Sequence, residues 1–265
     1  MNHNDQFKSA YFDVLLHDFT EKILGRAHGN YTKSYESFKR INNTETCFRE
    51  AIKDNPKQKV LDVGCGDGYH LCVFNSTDDI RRNVRFYGIE KSELRVEFAS
   101  RACNELSFTN IDFLVGSADD LPFPDNYFDI ILCSDVIEHL LHPEKCFSEM
   151  NRVLKRGGVV IVTTPNKTTF PQQAVNIFRK SPRKEQCDDD DHISLKGVNE
   201  WMEIARAAGF DILKVRRGAL IFGGPRYNQY PALFSFVLML DRLIDFVPFS
   251  TNWAEAITLN LKKHK

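Results

Sequence analysis

The stretch Val60-Leu61-Asp62-Val63-Gly64-Cys65-Gly66-Asp67-Gly68 decides how this chain is read. A short run of strand character leads into a turn with glycine at every second position. Glycine lets the backbone come close to a ligand. Amide N–H groups at a strand-to-helix turn, backed by the positive end of a helix dipole, receive a negatively charged or polar group. Asp62 stands at the strand end facing that turn. A dinucleotide fingerprint needs G-x-G-x-x-G, and its third glycine falls on Tyr69, so the match to a nicotinamide site fails at that position.

Outward from this turn the texture is that of a parallel sheet. β-Branched runs at 59–63, 84–89, 111–115, 128–133 and 159–163 read as five successive strands. Helical spacing at 93–105 and 143–154 supplies crossovers, the second stopped by Arg156, Gly157 and Gly158. A helix at 195–208 ending on Gly209, strands at 211–217 and 254–261, and a basic tail of Lys262, Lys263, His264 and Lys265 complete the pattern. Ahead of the sheet, residues 7–55 read as helices broken at Gly25 and Gly29. The expected organisation is an N-terminal helical cap and substrate region over 1–56, followed by the main domain over 57–265. Insertions at 165–194 and 219–252 are expected to shape an acceptor site.

Hydrophobic residues make up 42% of the chain and charged residues 27%, the usage of a folded globular domain. A net charge of −1 gives no overall field to collect phosphates, which makes nucleic acid an unlikely partner. The seven cysteines (Cys47, Cys65, Cys72, Cys103, Cys133, Cys146, Cys187) are odd in number and scattered, as expected of reduced thiols in a cytoplasmic protein. The polar first ten residues lack an apolar export core. The apolar run at 231–240 is interrupted by Asp241, Arg242 and Asp245 short of the ~20 residues that span a bilayer.

The glycine turn and the segments after it resemble the class I S-adenosylmethionine-dependent methyltransferases, in the branch acting on small molecules. The likeness covers residues 59–165. It rests on Asp62 with Gly64, Cys65, Gly66 and Gly68, on Gly88-Ile89-Glu90, on Gly116-Ser117-Ala118-Asp119-Asp120-Leu121-Pro122-Phe123, on the strand ending at Cys133-Ser134, and on Val153-Leu154-Lys155-Arg156-Gly157-Gly158, in that order. The resemblance implies a Rossmann-like α/β fold, a mostly parallel seven-stranded sheet with helices on both faces and an antiparallel last strand. It also implies S-adenosyl-L-methionine as cofactor. Asp62, Gly64, Cys65, Gly66 and Gly68 would then line the cofactor, Glu90 would accept the ribose hydroxyls, Ser117, Ala118 and Asp119 would flank the adenine, and Ser134 would lie beside the methionine part. Many relatives carry aspartate where Ser117 stands, which puts the adenine amino contact in question; Asp119 is the substitute.

A methyl group on a sulfonium is already activated, so positioning supplies most of the rate and a base is needed only for acceptors that must lose a proton. Asp135-Val136-Ile137-Glu138-His139-Leu140 follows the strand end where such a base would sit. Three readings stand: caps and solvation of a turn, a general base His139 oriented by Glu138, or a divalent metal held by Asp135, Glu138 and His139 with His192. The metal is not favoured. O-methylation is slightly preferred over N- or C-transfer. Cys65 is expected to be there because a small side chain fits.

Tyr31, Tyr35 and Phe38 could line an acceptor pocket. The aromatic stretch 222–249 could present an apolar face to a lipid-like acceptor or a membrane surface, with the basic tail adding contact. The expected activity is methyl transfer to a small-molecule or lipid-like acceptor. The alternatives are a metal-dependent RNA 2′-O-methyltransferase using Arg179, Lys180, Arg183 and Lys184, opposed by the Asp188–Asp191 run, and a non-catalytic cofactor-binding regulatory protein.

Overall fold

The computed structural model describes residues 35–52, 57–76, 78–167, 193–218 and 250–264, together with Met239 and Leu243. In chain order the elements are α1 (Tyr35–Ala51), β1 (Gln58–Val63), α2 (Tyr69–Phe74), α3 (Asp78–Asn83), β2 (Val84–Glu90), α4 (Glu93–Glu105), β3 (Ile111–Val115), β4 (Phe128–Ser134), a 3₁₀ turn (Ile137–His139), α5 (Pro143–Val153), β5 (Leu154–Pro165), α6 (Val198–Ala207), β6 (Phe210–Arg217), a second 3₁₀ turn (Ser250–Trp253) and β7 (Ala256–Lys263).

The strands form one seven-stranded sheet in the order β3-β2-β1-β4-β5-β7-β6. The first five are parallel, and β7 runs antiparallel to both β5 and β6. Alternation along the central strands feeds two cores. Leu61, Ile131, Cys133, Val160 and Val162 face one layer, where α5 and α6 contribute Phe147, Met150 and Trp201. Val60, Ile130, Leu132 and Ile161 face the other, with Phe48 of α1, Leu71 of α2 and Ala102 of α4. A strand buried on both faces is apolar nearly throughout, which is why these runs stand out in the sequence.

Local chemistry sets the helix ends. α5 opens on Pro143, whose missing N–H costs nothing in a first turn, and buries Cys146, Phe147, Met150 and Val153 along one stripe. Ser92 caps α4 by accepting from the Arg95 amide at 3.4 Å. α1 packs directly on the sheet layer: Phe48 stacks on Phe74 with centroids 4.1 Å apart, Asn43 donates to the Arg217 carbonyl at 2.9 Å, and the Thr44 and Thr163 hydroxyls meet at 3.1 Å.

Two expectations need correction. Gly157 and Gly158 do not separate a helix from a strand: β5 begins at Leu154, and the pair sits within it, where the register with β4 shifts between Phe128 and Ile130. The supposed basic tail is partly strand. Lys262 and Lys263 belong to β7, and the Lys263 ammonium donates to Asn126 Oδ1, the Asn151 carbonyl and the Leu154 carbonyl at 3.0, 2.6 and 2.7 Å. No helix among the described residues is long and apolar enough to cross a membrane.

Candidate active site

The carboxyl ends of the parallel strands gather the residues singled out by the sequence. β1 hands over to the glycine turn, where Gly64, Gly66 and Gly68 take φ of +69°, +55° and +78°. Side chains are strained in that region. Gly64 is needed for space as well, since a Cβ there would lie 2.3 Å from Val136 Cγ2. Its amide and that of Cys65 both donate to the Ile89 carbonyl, at 2.8 and 3.0 Å. Cys65 is buried with its sulfur against Gly88, where a Cβ would stand 2.7 Å away. A small side chain at 65 and none at 88 are therefore one packing solution.

Glu90, at the end of β2, holds the turn from across the groove. Its Oε2 accepts from the Gly66 amide at 3.1 Å and its Oε1 from the Ser92 amide at 3.0 Å. At the end of β3, the Ser117 hydroxyl donates to the Asp119 carboxylate, and that bond holds the Asp119 carboxyl below its usual range. Ala118 is half-buried against the core, and Asp119 and its neighbour Asp120 are exposed, so this loop offers two carboxylates, of which Asp119 is the one held by Ser117.

Asp62 is almost fully buried, and its Oδ2 has no hydrogen-bond partner among the described residues. Burial, with the nearby Asp67 and Glu90 charges adding to it, raises its carboxyl to about 8. The Ser134 hydroxyl, at the end of β4, is buried and equally unpartnered. Buried polar atoms are nearly always satisfied, so orphans at the rim of a site are fitted to a ligand group that brings the partner. An ammonium or sulfonium beside Asp62 would favour its ionised form.

The stretch after β4 separates the residues proposed for chemistry. Asp135 takes φ +54°, donates its amide to the Thr163 carbonyl at 2.8 Å, and pairs through Oδ1 with Arg40 of α1 at 3.2 Å. Glu138 is fully buried and turns inward, where Thr164 Oγ1 donates to its Oε2 at 3.0 Å. Its Oε1 has no hydrogen-bond partner among the described residues and lies 4.0 Å from His139 Nε2. Desolvation raises the Glu138 carboxyl to about 7, opposed by a backbone hydrogen bond and augmented by Asp135. His139 stands 40% exposed at the mouth. Among the described residues no three His, Cys, Asp or Glu side chains gather to hold a metal ion. His192, the side chains of Tyr31, Tyr35 and Phe38, and nearly all of 222–249 lie outside the described residues.

Three contributors escaped sequence reading: Val136, which packs on Gly64, and Arg40 and Thr164, which pair with Asp135 and Glu138. Arg40 and Thr164 sit in no motif, and Val136 lies within the Asp135–Leu140 stretch without having been given a role; each is identified only by its partner in space. A cavity of about 410 Å³ lined by Arg206, Phe210, Asp211, Ile212 and His264 opens at the start of β6, at the opposite edge of the sheet, and takes no part in this site.

A family model described as a methyltransferase domain matches residues 54–209, more than half of the chain, and the chain belongs to that family. In fold and motif order this region is a class I S-adenosylmethionine-dependent methyltransferase domain. A probable S-adenosylmethionine-dependent methyltransferase of Mycolicibacterium smegmatis is 31% identical over 153 residues, covering 58% of this chain and 52% of its own. Ajmaline N-methyltransferase of Rauvolfia serpentina is 30% identical over 172 residues, covering 60% of this chain and 58% of its own. The chain thus spans little more than half the length of these curated relatives. Among solved structures, geranyl diphosphate C-methyltransferase of Streptomyces coelicolor, in complex with Mg²⁺, geranyl diphosphate and S-adenosyl-L-homocysteine, superposes with a TM-score of 0.60 at 16% identity, over 84% of this chain and 78% of that one. That likeness bears on the fold alone.

Proposed function

We infer that this protein transfers a methyl group from S-adenosyl-L-methionine to a small-molecule or lipid-like acceptor. The observation that carries the inference is the pairing, on one sheet edge, of a carboxylate already engaging backbone amides (Glu90) with two buried polar atoms lacking partners (Asp62 Oδ2 and Ser134 Oγ). These residues fit the cofactor: Glu90 for the ribose hydroxyls, Asp62 and Ser134 for the polar methionine end, Ser117, Ala118 and Asp119 beside the adenine, and the backbone of Gly64, Cys65, Gly66 and Gly68 beneath it. When bound, S-adenosylmethionine supplies an electrophilic methyl group.

The remaining work falls to the chain. His139 takes the acceptor's proton if the attacked atom is a hydroxyl oxygen, and Glu138, held by Thr164, keeps a carboxyl oxygen near the imidazole. The preference for O-methylation rests on that base. The assignment of the segments 165–194 and 219–252 to the acceptor side is part of this inference, and most of their residues lie outside the described ones. A cytoplasmic setting suits the six described cysteines, all free and buried.

Calorimetric titration with S-adenosylhomocysteine tests the inference. Wild-type protein should bind, and an Asp62→Ala/Glu90→Ala variant should not; absence of wild-type binding would overturn it. With an acceptor in hand, His139→Ala should slow O-transfer by about 10²- to 10⁴-fold with cofactor affinity intact.

A further inference from the structure

Four of the eight large apolar side chains that stand in solvent among the described residues lie at the same end of the sheet. Leu94 (65% exposed) follows β2, Val115 (50%) ends β3, Leu141 (70%) follows the first 3₁₀ turn, and Ile193 (62%) precedes α6. They form two pairs. Val115 is registered against Glu90, and Leu94 lies a few residues beyond Glu90, so this pair flanks the ribose side. Leu141 and Ile193 flank the other side. The Ser194 amide donates to the Glu138 carbonyl at 2.8 Å, and the Lys167 amide to the Lys196 carbonyl at 3.2 Å. These bonds bring Ile193 to the 3₁₀ turn that carries Glu138 and His139, two residues before Leu141.

We propose that Leu141 and Ile193 form the apolar seat of an amphiphilic acceptor, one with a reactive polar head and an alkyl or isoprenoid chain. The head meets His139 and the chain lies over the two side chains. This deepens the function inferred above and rests on it. The site's own continuity argues for this occupant. Leu141 follows the half-exposed His139 by two residues and Ile193 is tied to the same turn through the Ser194–Glu138 backbone bond, so a molecule with its head at the imidazole has these two apolar side chains beside it for its remaining bulk. Charge gives no reason to prefer an anionic surface. The exposed cations Lys91, Arg95, Lys145 and Lys167 at this edge stand among the exposed acids Glu93, Asp119, Asp120, Asp135 and Glu144. An uncharged chain is what such a rim accepts, and two large side chains buried by it contribute appreciable affinity.

The test uses the full chain saturated with S-adenosylhomocysteine. Dansyl-labelled undecanoic acid is titrated below its micelle-forming concentration and followed by fluorescence, with dansylglycine as the short-chain control. Saturable binding of the long probe, at least about tenfold weaker in Leu141→Asn/Ile193→Asn, is expected from the area those side chains would lose. Equal binding by wild type and variant, or equal binding of the two probes, would overturn the proposal. So would a variant whose only defect is lost co-sedimentation with phosphatidylcholine vesicles, which would assign the patch to a bilayer. S-Adenosylhomocysteine calorimetry on the same variant separates the two failures: unchanged cofactor binding with no seat rejects this proposal, and absent binding in the wild type rejects the function on which it rests.

Discussion

At the scale of single residues, the glycine turn shows how one motif holds positions of unequal demand. Gly66 has a left-handed φ but open space, where a Cβ would meet nothing nearer than Arg95 Nη1 at 3.5 Å, whereas Gly64 has both the φ and the Val136 clash. Gly66→Ala should therefore cost about the 1–2 kcal/mol of a left-handed alanine. Gly64→Ala should cost more than that and weaken S-adenosylhomocysteine binding, because Val136 and the stretch after β4 must shift. Chemical denaturation with calorimetry on both variants checks the order. Partial recovery on adding Val136→Ala to Gly64→Ala is expected, and its absence would show that backbone strain alone governs position 64.

At the scale of elements, the corner between α5 and β5 is closed from a distance by the Lys263 ammonium with its three oxygen acceptors. Lys263→Met should destabilise the protein by on the order of 1–3 kcal/mol, the range for a hydrogen-bonded charged group, and Lys262→Met by much less. Urea midpoints for the two variants would settle which of them supports the corner. The same corner shows where sequence reading stops. β3 and α4 were legible to the residue because a short apolar run bounded by turn residues and a helix opened by Ser92 leave local signatures. A terminal Lys-Lys-His-Lys run reads as a solvated tail until β7 is placed between β5 and β6, since an ammonium's acceptors leave no trace near it in sequence. Likewise the cofactor side was readable from Asp62, the glycines and Glu90. The partners of Asp135 and Glu138 were not, because Arg40 is 95 positions from one and Thr164 is 26 from the other.

At the scale of the whole molecule, two buried carboxyls set a pH dependence. Asp62 is raised from 3.8 to about 8 and Glu138 from 4.5 to about 7, both chiefly by burial. The folded protein thus keeps protons that the unfolded chain has already released, so stability should fall as pH rises from about 4 to about 8 and level off above. Glu138→Gln should flatten the part below about pH 7, by on the order of 2 kcal/mol. Denaturant titrations at about pH 5 and pH 8 would show it; parallel wild-type and variant curves would contradict the burial of an ionisable Glu138.

The strand order carries a consequence for how the chain is made. Among the described residues β6 has a single neighbour in the sheet, β7, which follows it in the chain and separates it from β5. During synthesis at roughly 5–20 residues per second, β1 to β5 can assemble as they leave the ribosome, but β6 must wait with both edges unpaired until β7 emerges. Stalling a nascent chain just before β7 should leave β6 as a loose segment open to proteases beside a sheet already in place, so β7 locks the far side of the domain when it emerges.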